Sequence, residues 1–261
     1  MSDNVMAQFL AHPEQAGVFF DFDGTLSEIV SRPENARPVE GVPDLLRTLA
    51  ARFALVAVVS GRPASELMEW LGSDGVEIWG LHGAESTREG SVHLAEELKP
   101  FVPLMHKVKG ECEEAIARME LTGVKLEDKG AILALHFRNA ADGTWARNRL
   151  AGLIDEVCAL HGLRSVEGRM VFELRPPVEL SKGRVLIRRA LSLDLRAAAF
   201  VGDDPVDLPA FDALDDLAAE GVLAVRVAVS SAESPPELID RADLVLEGPR
   251  GVTAWLRELA S

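Results

Sequence analysis

The sequence has 261 residues, of which 48% are hydrophobic and 26% are charged, and its formal net charge is −15. This composition predicts a folded protein with one large domain, or with a second and smaller one, and it excludes global disorder. The negative charge repels nucleic acid and anionic lipid, so neither is expected as a partner and an anionic ligand has to be captured locally.

Features of the sequence also indicate where in the cell the protein is expected. Its N-terminus lacks the basic region and the apolar run of a secretory signal, and no apolar stretch approaches the roughly 20 residues of a membrane-spanning helix. The two cysteines, Cys112 and Cys158, lack metal-ligand spacing and are expected to be reduced. We expect a soluble, cytoplasmic protein, and a monomer.

Short apolar runs alternate with amphipathic segments in the first and last parts of the chain. Buried strands are predicted at 17–20, 54–60, 197–203, 223–229 and 242–246, because these runs are nearly continuous. Helices are predicted at 43–51, 63–71, 181–192, 207–219 and 251–260. This alternation predicts an α/β domain with a doubly wound parallel sheet.

The segment between these two parts has a different pattern. A long helix is predicted at 95–120, a strand at 131–138, a helix at 144–161 and a strand at 170–176. Apolar residues alternate with others along the first of these strands, which is typical of a sheet with one open face. We therefore predict an α+β domain at 88–176, inserted into a core formed by 1–87 and 177–261.

Acidic residues follow the predicted buried strands. Asp21 and Asp23 end the first strand, and Asp203, Asp204 and Asp207 follow the strand at 197–203. Ligands of open parallel sheets bind beyond the carboxyl ends of the strands, so these side chains are expected to converge. Carboxylates gathered in one crevice need a compensating cation, and hard oxygen ligands beside a phosphate indicate Mg²⁺.

Residues suited to a phosphate group end or begin other elements. Ser60 ends the second strand and is followed by Gly61 and Arg62, and Lys182 opens a helix. A lysine charge, a serine hydroxyl and backbone N–H groups at helix starts can together bind the oxygens of a phosphate.

The segment DFDGTL (21–26), the strand end at Ser60, Lys182 and the segment GDDPVD (202–207) resemble, in order, the four motifs of the haloacid dehalogenase superfamily of phosphohydrolases. The resemblance implies that Asp21 is the nucleophile and forms a phosphoaspartyl enzyme. It implies that Asp23 is the general acid and then the general base.

The same resemblance implies a set of metal ligands. Mg²⁺ would be held by the side chains of Asp21 and Asp203 and the backbone carbonyl of Asp23, with Asp207 assisting directly or through water. Asp204 would orient Lys182 or the metal-bound waters. A simpler alternative is that Asp204 and Asp207 cap the helix that follows them.

The inserted segment lies between the serine and lysine motifs, where this superfamily carries a C2-type cap that covers the cleft. GLHGAE (80–85), LEDKGAILALHFR (126–138) and FELRPPVELSKG (172–183) resemble trehalose-6-phosphate phosphatases. That resemblance implies hydrolysis of trehalose 6-phosphate, with the distal glucose bound by Glu127, Lys129 and Glu173. Arg62 is also expected to contact the substrate.

Several alternatives remain open at this point. Glu127 and Lys129 could form a solvated pair in a turn, Glu173 could face water, and Arg62 could be a surface charge. Val206 and Leu208 stand where the family motif has a threonine and a second acid. This departure makes a related substrate, such as a sucrose phosphate or a mannosylglycerate phosphate, a competing hypothesis. Two further hypotheses are a phosphosugar mutase and a catalytically silent regulatory module, and the intact Asp21, Asp23, Lys182 and Asp203 argue against the second of these.

Overall fold

The computed structural model describes residues 2–30, 32–168, 170–231 and 234–261. The chain divides into two compact units. We call Met1–His93 with Leu180–Ser261 the core unit, and Leu94–Glu179 the inserted unit.

The described residues form strands in both units. In chain order they are β1 (Ala16–Phe20), β2 (Leu55–Val59), β3 (Val76–Gly80), β4 (Glu85–Arg88), β5 (Ser91–Leu94), β6 (Lys125–Asp128), β7 (Leu133–His136), β8 (Arg164–Gly168), β9 (Val171–Arg175), β10 (Ala197–Gly202), β11 (Leu223–Ser230) and β12 (Leu244–Glu247).

Helices precede, separate and follow these strands. They are α1 (Ser2–Ala11), α2 (Val42–Ala50), α3 (Ala64–Leu71), α4 (Val102–Arg118), α5 (Gly143–His161), α6 (Lys182–Ser192), α7 (Leu208–Ala219), α8 (Pro236–Asp240) and α9 (Gly248–Ala260). Within the described ranges, none of them combines the length and the apolar character that crossing a bilayer requires.

The core unit is built on an eight-stranded sheet in the order β12-β11-β10-β1-β2-β3-β4-β5. The strands from β12 to β3 pair in parallel, and β4 runs antiparallel to β3. Successive residues of β1 point to opposite faces, so Val18 and Phe20 join one apolar cluster and Phe19 joins the other. Both faces are thus covered, which confirms the predicted doubly wound α/β fold.

Strand β3 and the β4–β5 hairpin extend the sheet beyond the predicted strands. Glu77 interrupts the apolar run of β3 and therefore hides its strand character in the sequence. In the structure the Glu77 carboxylate is neutralised by Arg189, whose Nε donates to Glu77 Oε2 at 2.8 Å.

The inserted unit contains a second sheet, antiparallel throughout, in the order β6-β7-β9-β8. Leu133 and Leu135 of β7 and Phe172 of β9 face an apolar cluster that α4 and α5 complete. The expected α+β domain with an open-faced sheet is confirmed.

The prediction of a single helix at 95–120 is wrong for its first residues. Glu96–Phe101 form a 3-10 helix that contains Pro100, and α4 begins at Val102. Proline has no backbone N–H and cannot sit inside an α-helix without breaking a hydrogen bond, whereas Pro103 is tolerated in the first turn of α4.

Candidate active site and metal centre

Three carboxyl groups meet at the carboxyl end of the core sheet. Asp21 follows β1 and Asp203 follows β10, and these strands are neighbours, with Phe20 opposite Val201. Asp207 ends a 3-10 turn that leads into α7. Carboxylate oxygens of Asp21, Asp203 and Asp207 all lie within 4.8 Å of one another, and all three residues are buried.

Lys182, the first residue of α6, supplies a positive charge to this cluster. Its Nζ lies 2.6 Å from Asp21 Oδ1 and 2.6 Å from Asp207 Oδ1. Three carboxylates and one ammonium carry three negative charges and one positive charge, so a formal charge of −2 remains. One divalent cation neutralises that charge, and carboxylate oxygens are the ligands that Mg²⁺ prefers.

The pKa values in the cluster reflect this imbalance. Burial is the largest cause, and it raises the pKa of Asp21 well above its usual value even though the charge and hydrogen bond of Lys182 lower that pKa; the charges of Asp207 and Asp203 add to the rise. Burial, with Asp207 and Asp204, raises the pKa of Asp203 to about 7. Burial alone would lower the pKa of Lys182, but Asp207 and Asp21 overcome it and raise that pKa. The cluster therefore favours protons or cations strongly.

Asp207 and Asp204 have different roles in the structure. Oδ2 of the fully buried Asp207 accepts hydrogen bonds from the backbone N–H groups of Asp203, at 3.0 Å, and Asp204, at 3.1 Å. Asp204 is exposed, and its Oδ1 accepts from the N–H of Val206 at 2.8 Å, capping the turn. The expected contact with Lys182 is therefore made by Asp207, because the cap turns Asp204 toward solvent. A role for Asp204 toward metal-bound waters stays a prediction.

Asp23 is held by Arg62 rather than by the lysine cluster. Arg62 Nε donates to Asp23 Oδ2 at 2.7 Å, and Nη2 donates to Oδ1 at 2.8 Å. The guanidinium carbon also lies 5.6 Å from the ring centroid of Phe22 and 5.1 Å from that of Trp70. Only 11% of the Arg62 side chain is exposed, which rules out the simple surface charge. Its contact with the substrate stays a prediction.

Three hydrogen bonds hold the turn at Ser60, two through its backbone and one through its hydroxyl oxygen. Ser60 N–H donates to Trp79 O at 3.0 Å, Ser60 O accepts from His82 N–H at 2.8 Å, and Ser60 Oγ accepts from Arg62 N–H at 3.2 Å. A Cβ on Gly61 would stand 2.9 Å from His82 Nε2, so the close approach of this ring favours glycine. The sequence alone does not indicate a role for His82. In the structure its ring packs against Gly61 and limits the space at that position.

Comparisons with known proteins agree with this site. A family model described as trehalose-phosphatase matches residues 19–240. The chain belongs to this family. It is 38% identical over 221 residues to a trehalose-phosphate phosphatase of Mycobacterium avium, and 36% identical over 256 residues to that of Mycobacterium ulcerans. These matches cover 81% and 94% of the chain but 54% and 61% of the relatives, so the chain spans little more than half their length.

Solved structures show the same fold. A trehalose-6-phosphate phosphatase related protein matches with a TM-score of 0.73 and 23% identity, over 94% of this chain and 96% of that one. The C-terminal domain of the Candida albicans trehalose-6-phosphate phosphatase matches with a TM-score of 0.74 and 23% identity, over 99% and 96%. Phosphatases of the haloacid dehalogenase superfamily, to which the trehalose-phosphatase family belongs, are generally metal-dependent, and the acidic cluster fits that property.

The sugar-binding residues expected from the trehalose-phosphatase family lie in the inserted unit. Register pairs Glu127 with Ala134 and Ala134 with Glu173, so both glutamates are on the open face of the second sheet. Glu127 Oε2 lies 2.9 Å from His136 Nε2, and Lys129 Nζ donates to Glu173 Oε1 at 3.1 Å.

Glu173 is not a carboxylate that simply faces water. Only 18% of its side chain is exposed, and Arg175 as well as Lys129 donates to it. Burial would raise its pKa, but the charges of Arg175 and Lys129 outweigh that effect and lower it. The sequence reasoning missed Arg175. Its position two residues after Glu173, on the same face of β9, was the available signal.

Proposed function

We propose that the chain is a Mg²⁺-dependent phosphatase that hydrolyses trehalose 6-phosphate to trehalose and phosphate. The observation that carries the proposal is the buried cluster of Asp21, Asp203 and Asp207 around Lys182, in a member of this family. The relatives named trehalose-phosphate phosphatase support the choice of substrate.

In the proposed reaction an Asp21 oxygen attacks phosphorus, and the bond from phosphorus to the sugar oxygen breaks. Asp23 gives a proton to the departing sugar oxygen. It then takes a proton from water, whose oxygen attacks the phosphoaspartyl group, so that phosphate leaves and Asp21 is restored.

The remaining residues bind and orient. Lys182, the Ser60 hydroxyl and the backbone of Gly61 would bind the non-bridging oxygens of the phosphoryl group, and Arg62 keeps the Asp23 carboxylate in place. Mg²⁺, when bound by Asp21, Asp203, the Asp23 carbonyl and Asp207 directly or through water, offsets the repulsion between a phosphate dianion and the nucleophile.

We assign recognition of the sugar to Glu127, Lys129 and Glu173 of the inserted unit. Carboxylate acceptors beside an ammonium donor match neighbouring sugar hydroxyls. The ion pair of Lys129 with Glu173 keeps both side chains ordered on the open face of the sheet.

Release of inorganic phosphate from a panel of sugar phosphates tests the proposal. The purified chain is given trehalose, sucrose and mannosylglycerate phosphates, each with Mg²⁺ and with EDTA. We expect release from trehalose 6-phosphate, and only with Mg²⁺. Faster release from another sugar phosphate would favour a phosphatase of that sugar. Val206 and Leu208, which depart from the family motif, are the reason to include the other substrates. Isomerised sugar phosphate without free phosphate would establish a mutase, and no reaction would indicate a regulatory module.

A further inference from the structure

The open face of the second sheet contains a contact that decides how Glu173 presents its carboxylate. Glu173 and Arg175 lie two residues apart on β9, so their side chains are on the same face. Pro176 follows Arg175, and a residue before proline is restricted to extended backbone. The backbone of Arg175 is therefore fixed beside Glu173, at the end of the strand.

The two oxygens of the Glu173 carboxylate have different partners. Oε2 accepts a hydrogen bond from Nε of Arg175 at 3.0 Å and another from its Nη2. Oε1 accepts from Nζ of Lys129 at 3.1 Å, and Lys129 is its one donor within the described part of the chain. A carboxylate has about four acceptor sites, two on each oxygen. Arg175 thus occupies Oε2, whereas Oε1 can accept one more hydrogen bond.

Lys129 has a support of its own in the turn between β6 and β7. Its backbone N–H donates to Ile132 O at 2.9 Å. In the same turn, Asp128 Oδ1 accepts from the N–H of Gly130 at 2.9 Å. The lysine therefore keeps its backbone position independently of Glu173, and the orientation of the glutamate is the part that needs a second partner.

Two cations keep this carboxylate ionised although it is largely buried. The exposed fraction of the side chain is 18% for Glu173, 14% for Lys129 and 17% for Arg175. Burial alone would raise the pKa of Glu173, but the charge of Arg175, and after it that of Lys129, lower the pKa below its ordinary value. An ionised carboxylate accepts hydrogen bonds on both oxygens, as binding of a hydroxyl group requires.

We propose that Arg175 is a positioning residue, which fixes Oε2 of Glu173 so that Oε1, beside the ammonium group of Lys129, stays available to a sugar hydroxyl. The hydroxyl donates to Oε1 and accepts from Nζ of Lys129. The inference rests on the proposed function, because it concerns the sugar site assigned there. Arg175 does not contact the sugar itself, so its effect passes through Glu173.

Steady-state kinetics of the full chain with Mg²⁺, on trehalose 6-phosphate and on a small aryl phosphate, test this role. Arg175→Met keeps a long side chain but removes the donors. We expect KM for trehalose 6-phosphate to rise about fivefold or more, with kcat and aryl phosphate hydrolysis nearly unchanged. Arg175→Lys, which keeps a charged donor, should recover part of the loss. Arg164→Met is the matched control and should change neither substrate, since Arg164 lies opposite Arg175 on β8 and on the same face.

A double variant separates a positioning role from a direct contact with the sugar. In the Glu173→Ala background, Arg175→Met should cause no further loss, because the carboxylate that it positions is gone. A further loss in that background, equal losses on both substrates, or an unchanged KM in Arg175→Met alone would overturn the inference. Absence of trehalose 6-phosphate hydrolysis by the parent chain would instead overturn the proposed function, and with it the sugar site on which this inference depends.

Discussion

Lys182 is surrounded by more negative charge than it neutralises. It contacts Asp21 and Asp207, and Asp203 belongs to the same cluster. Burial makes an uncompensated carboxylate costly, so this arrangement favours the binding of a proton or a cation. The net charge of these four side chains together, rather than any single residue among them, indicates a cation site.

At this scale Asp21→Asn should abolish phosphate release and leave the fold intact. The amide is neither a nucleophile nor a source of charge repulsion toward Asp203 and Asp207, so the variant should retain its thermal transition. Phosphate release and circular dichroism measure the two properties. Asp194→Asn, at a side chain that is 83% exposed, is the control and should keep full activity. Measurable steady-state turnover by Asp21→Asn would remove Asp21 from the nucleophile role.

Asp203 should make the stability of the protein depend on pH in EDTA. Its folded pKa of about 7 lies above the unfolded value of about 3.9, so the folded state binds the proton more tightly. The contribution to stability is complete below the unfolded pKa and is lost as pH rises toward the folded one. Relative to Asp203→Asn, the parent should lose about 2.6 kcal/mol of unfolding free energy between about pH 5 and about pH 8.

Denaturant unfolding at the two pH values measures this difference. Excess Mg²⁺ should abolish the loss, because the cation takes the place of the proton among the carboxylates. A difference between parent and variant that does not change with pH would show that Asp203 keeps an ordinary affinity for protons.

At the scale of elements, the neighbouring ends of β1 and β10 bring the acids together. In the loop after β1 and at the end of β10, a glycine stands where a side chain would collide with one of the carboxylates. A Cβ on Gly24 would lie 2.0 Å from Asp203 Oδ2, and a Cβ on Gly202 would lie 2.3 Å from Asp207 Oδ2. The two glycines leave the space that the carboxylates occupy.

Gly24→Ala should therefore weaken Mg²⁺ binding about tenfold or more, because the methyl group displaces the carboxylate of Asp203, a proposed Mg²⁺ ligand. Gly41→Ala is a matched control. Gly24 has a φ of +75° and Gly41 one of +85°, but a Cβ on Gly41 would meet nothing within 4 Å. Both variants should lose about 1 kcal/mol of stability from backbone strain. Calorimetric titration with Mg²⁺ should distinguish them, and equal affinities would refute the displacement of Asp203.

At the scale of the whole molecule, the core unit and the inserted unit differ in how their sheets are packed. The core unit has apolar clusters on both faces of its sheet, whereas the second sheet packs one face on helices and keeps charged residues on the other. We therefore expect variants of the open face to change substrate choice more than the chemical step.

Glu173→Ala should separate the two functions. Trehalose 6-phosphate hydrolysis should fall about tenfold or more in kcat/KM, since hydrogen bonds to a charged group contribute about 1.5–3 kcal/mol. Hydrolysis of a small aryl phosphate, which has no sugar to bind, should change little. Glu167→Ala is the control, because Glu167 is an exposed residue of β8 opposite Phe172 and so on the other face. Equal losses on both substrates would show that Glu173 does not bind sugar.

Much of the fold could be predicted because its signals are local. The runs that became β1, β2 and β10 are continuous and apolar, and such runs have few alternatives to a buried strand. Strand β3 was missed because Glu77 interrupts its apolar run, and Arg189, which neutralises Glu77, lies 112 residues away in the sequence. The start of α4 was missed because the amphipathic pattern continues through Pro100 while the α-helix does not.

The sequence by itself determined the parallel core, the inserted α+β unit and the acids at the strand ends, because residue periodicity and position after a strand are properties of a short segment. Only the tertiary structure decided that Asp207 rather than Asp204 contacts Lys182, and that Arg62 holds Asp23. Those contacts join side chains 25 and 39 positions apart, and their partners depend on how strands and turns are placed in space.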